Sequence, residues 1–370
     1  MLDEKEIDIL RKRDFFSKED NFKKYKDVKS KLVFGEVTEK EPFITLMIPT
    51  FKREYTLKET ITSILKQKNF DDYEILVVDN DDTFNEITKT EEVIREFNSS
   101  KILYYKNEKN IGMYANWNRC LELARSKWVC MVHDDDAVAE NYLETMTKII
   151  KNNKKINYLG CRHHCVFQKG DPEFKINDFT SKVECNEKNI IFSNYKDYNY
   201  DFNTLFLGAI FDREKAIEIG GFNISSSYIE DYFFVSKFAY YFNTYRLNCE
   251  LYVYRWANNQ SMKTEIWENE AVYEYYLYKY ISNKRFILIR PFYSLLSKNY
   301  IIRKLNTYLD GSSFLAVKCN INKENVFKMC DFNKPNINIF ILLVAKFIKK
   351  ILEKSRRYFN SKVYNINLQI

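Results

Sequence analysis

The chain predicts an α/β fold around a mainly parallel sheet, followed by a helical C-terminal extension. Three observations carry that expectation. Apolar runs of strand length alternate with segments of helical periodicity between residues 42 and 132. An acidic triplet directly follows the last of these runs, where open α/β sheets place their ligands. Beyond about residue 266 the pattern is helical throughout.

The elements follow in order. Residues 1–41 are charged and low in apolar periodicity, and read as an N-terminal helical arm. Phe43 to Ile48 is a mostly apolar run closed by Pro49, a buried strand, and Leu57, Ile61, Ile64 and Leu65 then recur at helical spacing. Tyr73 to Asp79 reads as a second strand, with a helix on Ile87, Ile94 and Phe97 after it. Ile102 to Tyr105 gives a third strand, Met113 to Ala124 a helix entered at Gly112, and Trp128 to Val132 a fourth strand. Strands separated by helices of this length predict a parallel sheet with right-handed crossovers. After a helix over Tyr142 to Ile150 the pattern becomes less regular. The run Leu205 to Phe211 leads into a short helix ending at Gly220-Gly221-Phe222. Tyr228-Ile229-Glu230-Asp231 opens a helix rich in Phe and Tyr, and Leu251 to Tyr254 reads as a further strand. The expected division is an arm (1–41), an α/β domain (42–265) and a basic helical region (266–370).

The net charge of +7 is unevenly spread. Residues 266–370 hold 18 Lys/Arg against 7 Asp/Glu, whereas the first 265 hold 40 against 44. The basic third therefore points to an anionic partner for that region alone. Its basic residues are mixed with Ile, Leu and Phe, most densely over 337–362, which favours an anionic membrane surface and argues against nucleic acid. The same pattern also suits a helix docked by its apolar face on the rest of the chain. No apolar stretch reaches the roughly 20 residues that span a bilayer. The chain opens on a charged segment with no signal peptide, and its eight scattered cysteines read as buried free thiols of a reducing cytoplasm. Cys161-Arg162-His163-His164-Cys165 lacks the paired spacing of a zinc site.

Asp134, Asp135 and Asp136 repel one another, so a positive group is expected among them. A hard divalent cation holding a phosphate fits, and so does a solvated turn capping the next helix. Neither Gly-rich phosphate fingerprint is present, which favours holding a diphosphate through a metal.

Four segments, in order, resemble the family 2 glycosyltransferases of the GT-A fold: Ile44 to Arg53, Glu74 to Asp81, Asn110-Ile111-Gly112 with Asn116, Asn118 and Arg119, and His133 to Asp136. Gly220-Gly221-Phe222 followed by Glu230-Asp231 is similar to the family's acceptor-side segment. The resemblance covers about residues 42–262. It implies a GT-A nucleotide-binding sandwich and inverting transfer of a sugar from a nucleoside diphosphate sugar to a glycan or lipid-linked glycan acceptor. Asp134 and Asp136 are then the ligands of Mg²⁺ or Mn²⁺, since in extended backbone they face the same way; Asp135 points elsewhere or toward the sugar. His133 reads either as a further ligand or as a packed strand-end residue. Pro49, Thr50, Phe51, Arg53, Asp79, Asn110, Gly112, Asn116, Asp134 and Asp135 are the implied nucleotide contacts, with Thr50 and Phe51 walling the base and Arg53 reaching a phosphate. Asp231 is the implied general base, with Glu230 as its alternative.

Two departures stand out. The family often places a His two residues after its Tyr-Arg pair, where Ala257 stands here, so that ligand is missing. The processive Q-x-x-R-W motif has Tyr252 at its Gln position, which implies single-sugar transfer. A nucleotidyltransferase and a catalytically silent sugar-nucleotide-binding partner protein remain the competing readings.

Overall fold

The structure is a computed structural model of the 370-residue chain. It describes residues 2–83, 86–168, 173–185, 190–193, 206–224, 229–257, 264–285, 287–310, 321–330, 343–344 and 347. The chain divides into two compact units, one of residues 17–194 with 203–257 and one of residues 1–16, 195–202 and 258–370.

The first unit is built on one sheet. Its strands are β1 (Ser30–Phe34), β2 (Ile44–Thr50), β3 (Tyr73–Asp79), β4 (Ile102–Asn107), β5 (Trp128–Met131), β6 (Ala137–Val138), β7 (Tyr158–Phe167), β8 (Ile190–Ser193), β9 (Ile210–Asp212) and β10 (Thr244–Trp256). They lie in the order β1-β4-β3-β2-β5-β9-β7-β10-β6, with β8 also paired to β10. β2 pairs in parallel with both β3 and β5, and β3 with β4. Every residue of β2, β3 and β5 is buried, as expected of parallel strands covered on both faces. The chain runs outward from β2 to β3 and β4, then returns to place β5 on the other side of β2. That reversal is a topological switch point, and it opens a crevice at the carboxyl ends of β2 and β5. Pairing of β2 with β5 stops at Met47, so the missing N–H of Pro49 forfeits no ladder bond on that side.

The antiparallel strand β9 joins this half to a second parallel pair, β7 with β10. Sequence periodicity did not show β7. Its first four residues are buried and the rest alternate irregularly, so neither strand template fits it. The two-residue strand β6 pairs antiparallel with β10, bringing the chain just after the acidic triplet onto Tyr252 and Val253. Helices α2 (Glu54–Leu65), α3 (Lys89–Glu96), α4 (Met113–Leu123), α5 (Tyr142–Asn152), α6 (Arg213–Glu218) and α7 (Glu230–Tyr241) complete this unit.

The expected arm of 41 residues is split. Residues 17–41 belong to the sheet unit, where β1 pairs antiparallel with β4. Arg119 draws them in, donating to the carbonyls of Tyr25 and Val28 and to Ser30 Oγ. Residues 1–16 belong to the helical unit instead. There α1 (Glu4–Lys12) starts on a capping box between Asp3 and Glu6 and buries Ile7 and Leu10, while Leu2 N donates to Asn269 of α8 (Thr264–Asn283). In the same unit lie α9 (Arg290–Asp310) and α10 (Lys323–Met329), and Lys304 of α9 reaches Glu270 and Glu274 of α8 at 2.8 and 2.7 Å. The apolar-plus-basic stretch 337–362 lies outside the described residues apart from Leu343, Val344 and Phe347. Among the described residues no helix is long and apolar enough to cross a membrane.

One cysteine expectation is corrected. Cys185 and Cys249 form a disulfide with Cα atoms 5.6 Å apart, because the chain before β8 lies beside the bulged middle of β10. Cys120, Cys130, Cys161 and Cys165 are free thiols, and Cys319 lies outside the described residues.

Candidate functional site

The carboxyl end of β2 and the segment after β5 meet at the crevice. Thr50, the last residue of β2, donates its hydroxyl to Asp134 Oδ2 at 2.8 Å. Arg53, at the start of α2, places a single nitrogen, Nη1, 3.3 Å from Asp134 Oδ1 and 2.6 Å from Asp135 Oδ2. Lys52 before it adopts a left-handed conformation (φ 55°), and its ammonium lies 3.7 Å from Asp81 and 3.6 Å from Asp82.

The triplet does not run extended. Asp136 N donates to His133 O at 3.3 Å, closing a turn. The expectation that Asp134 and Asp136 face the same way is therefore corrected. The ligand atoms that converge within 4.8 Å belong to His133, Asp135 and Asp136, while Asp134 is turned toward Thr50 and Arg53. This turn is shaped from the far half of the sheet. Asp136, fully buried, accepts from Tyr252 Oη at 2.7 Å and from Arg255 N at 2.9 Å. Arg255 Nε donates to the carbonyl of Asp135 at 2.7 Å, and its guanidinium also pairs with Glu59 and donates to Gln168. Tyr252 fits because residue 208 is glycine (φ 67°): a Cβ there would lie 2.5 Å from the tyrosine ring.

Burial dominates the electrostatics. It pushes the Asp134 carboxyl up to about 7, helped by Asp135 and opposed by Arg53. Asp136 is raised well above the carboxylate range by the same burial and by Asp135. Burial also holds the His133 imidazole neutral, down to about 4. Its Nε2 is buried with no hydrogen-bond partner among the described residues, while the ring packs on Trp117 at 5.3 Å. His133 thus packs on Trp117 and also presents a ring nitrogen toward Asp135 and Asp136. One imidazole and two carboxylates form a mixed N/O donor set that fits a divalent cation.

Residues 45–213, from β2 to the start of α6, match the family model described as Glycosyl transferase family 2. That stretch is similar to the family 2 glycosyltransferases. Its relatives include an uncharacterized glycosyltransferase of Methanocaldococcus jannaschii, 33% identical over 32% of this chain and 41% of that protein. Another is the Escherichia coli UDP-Glc:alpha-D-GlcNAc-diphosphoundecaprenol beta-1,3-glucosyltransferase, 29% identical over 31% of this chain and 44% of that one. The match thus spans less than half the length of either relative. Among solved structures, residues 1–349 of S. aureus TarS in complex with UDP superpose with a TM-score of 0.50 at 16% identity, covering 73% of this chain and 75% of that one. At that identity the likeness is one of fold.

Within the matched region the other expected contacts separate into two groups. Phe51, half exposed beside Lys52, stands at the crevice with Pro49 and Thr50 behind it. The second group is internal bracing. Asp79 is fully buried, accepting from Tyr104 Oη at 2.7 Å and from Asp81 N at 3.0 Å. Asn116 accepts from Asn107 and donates to Val78 O. Asn110 accepts from Gly112 N and from Asn80 Nδ2. Asn80 and Asn107 close this network and were missed in the sequence, although Asn80 directly follows the strand-end Asp79. Tyr252 and Arg255 were missed as site residues too.

The acceptor-side segment is tied to α4. Asn118 donates to Phe222 O and accepts from Phe222 N, both at 2.8 Å. Glu230 N donates to Tyr114 Oη at 3.3 Å; the Tyr114 ring meets Trp117 at 5.2 Å, and Trp117 meets His133. Two aromatic rings of α4 therefore stand between the start of α7 and the acidic turn. Glu230 is buried and its Oε2 accepts from Asn223 N, whereas Asp231 is half-buried and accepts from Tyr232 N. Ile229 holds a left-handed conformation (φ 48°) at this helix start, unusual for a β-branched residue.

Proposed function

We propose that the chain transfers a single sugar, with inversion, from a nucleoside diphosphate sugar to a hydroxyl of a glycan or lipid-linked glycan. The observation that carries this reading is the meeting of Thr50, Arg53 and the acidic turn at the switch point of a family 2 domain. Phe51 and Thr50 take the base side of the crevice, and Arg53 turns its guanidinium to the diphosphate. His133, Asp135 and Asp136 would hold Mn²⁺ or Mg²⁺, which when bound supplies charge neutralisation for the departing diphosphate. Asp231 takes the proton of the acceptor hydroxyl as its oxygen bonds to the anomeric carbon and the bond to the diphosphate breaks. Its partial exposure at the opening of α7 suits that role better than the buried Glu230, which braces the Asn223 backbone. The names of the E. coli relative and of the TarS complex, with UDP-Glc and UDP, support a nucleoside diphosphate donor.

The test is Asp231→Asn beside the parent chain, on a panel of nucleotide sugars. We expect kcat to fall by about 10²–10⁴ with donor binding retained. Unchanged turnover removes Asp231 as base. A parent chain that binds donors without transferring the sugar supports the silent binding reading instead.

A further inference from the structure

We propose that Arg53 is a built-in counter-ion that holds the place of a metal and makes cation binding depend on the diphosphate. The inference rests on the donor reading above and concerns how that site is controlled.

Three carboxylates crowd one turn, and all three residues are at least nine-tenths buried. The charged groups around them are few. Arg255 is spent on Glu59, Gln168 and the Asp135 carbonyl, so its charge answers Glu59 rather than the triplet. Lys52 faces Asp81 and Asp82. Among the described residues the Arg53 guanidinium is the only Lys or Arg side-chain cation that touches the triplet's carboxylates.

Arg53 is also built to let go. Its side chain is 41% exposed and makes no helix-capping bond. Both contacts use Nη1 alone, and among the described residues Nε and Nη2 take no partner. A planar guanidinium with two unused donors is suited to a phosphate oxygen pair.

Asp135 is the contested residue. It belongs to the converging group His133-Asp135-Asp136 and is the nearer partner of Arg53. A divalent cation arriving alone must share that carboxylate with a guanidinium, and the two positive charges repel. A diphosphate resolves the conflict, because its oxygens can meet the cation and the Nε–Nη2 edge of Arg53 together. Cation and diphosphate then bind with positive coupling, which is reciprocal by thermodynamic linkage.

Arg53→Gln, Arg53→Lys and Asp135→Asn test this, with Mn²⁺ binding followed by electron paramagnetic resonance in the absence and presence of UDP or GDP. Thermal midpoints report folding. We expect Arg53→Gln to bind Mn²⁺ alone at least about 5-fold more tightly than the parent chain, within the span of measured couplings. The factor by which the diphosphate strengthens Mn²⁺ binding should shrink correspondingly. Arg53→Lys, which keeps the charge, should stay near the parent value, and Asp135→Asn should lose Mn²⁺ at every nucleotide concentration. An Arg53→Gln protein with unchanged or weaker affinity for Mn²⁺ alone overturns the counter-ion role while leaving the glycosyl-transfer reading intact. A parent chain that binds no Mn²⁺ even with diphosphate overturns both.

Discussion

Asp134 sits where its charge is disfavoured, and the sign of the resulting pH dependence can be worked out. Its folded value, raised by burial to about 7 from the ordinary 3.8, means the native state keeps a proton that the unfolded chain has lost. The stability this contributes is complete below about pH 4 and is gone once pH rises through about 7. His133 acts in the opposite sense: depressed by burial to about 4, it stabilises above about pH 6.5 and loses that contribution as pH falls through 4. Asp134→Asn should therefore melt several degrees above the metal-free parent at pH 8 and close to it at pH 5. Equal differences at the two pH values would remove the buried charge as their cause. The acid cluster itself was legible in the sequence, because three adjacent Asp after an apolar run are visible without coordinates. Which of them converge was not. That depends on a turn whose donors, Tyr252 and Arg255, lie 116 and 119 residues further along.

Among the elements, the parallel core was plainly written. Expected strands over Tyr73 to Asp79 and Trp128 to Val132 became β3 and β5, and the helix expected from Met113 became α4. Residues that must be buried on both faces leave apolar runs, and those runs are readable. β10 was foreseen only over Leu251 to Tyr254 of its 13 residues, since register shifts near Glu250 break its alternation. The resemblance assigned Asn118 to the helix entrance, and the structure makes it the clamp between α4 and the Gly221-Phe222 loop. Gly221 is required there: its φ is 66°, and a Cβ would approach Asn118 Oδ1 to 2.4 Å. Asn118→Ala strands a buried N–H and C=O of Phe222, and should cost about 1–3 kcal/mol in chemical denaturation. A loss below a few tenths would mean that the loop finds other partners.

At the scale of the whole molecule, the N-terminal residues follow a division that the sequence did not show, because their anchors are distant in the chain. Phe15 and Phe16 pack on Tyr280 at 5.4 and 5.0 Å, and Asn269 receives Leu2 N. Removing residues 1–16 should speed amide exchange over α8 and leave β2 to β5 at parental protection; faster exchange in β2 to β5 would contradict two separate units. The sheet carries a second consequence of distance. Arg255 reaches Asp135 and Asp136 from 120 and 119 residues downstream. A nascent polypeptide therefore exposes its acidic turn to the cell long before the ribosome has made the residue that shapes it. Any product cut short ahead of Arg255 is born without that brace, so an abandoned translation leaves behind a fragment whose acidic turn lacks its shaping partner.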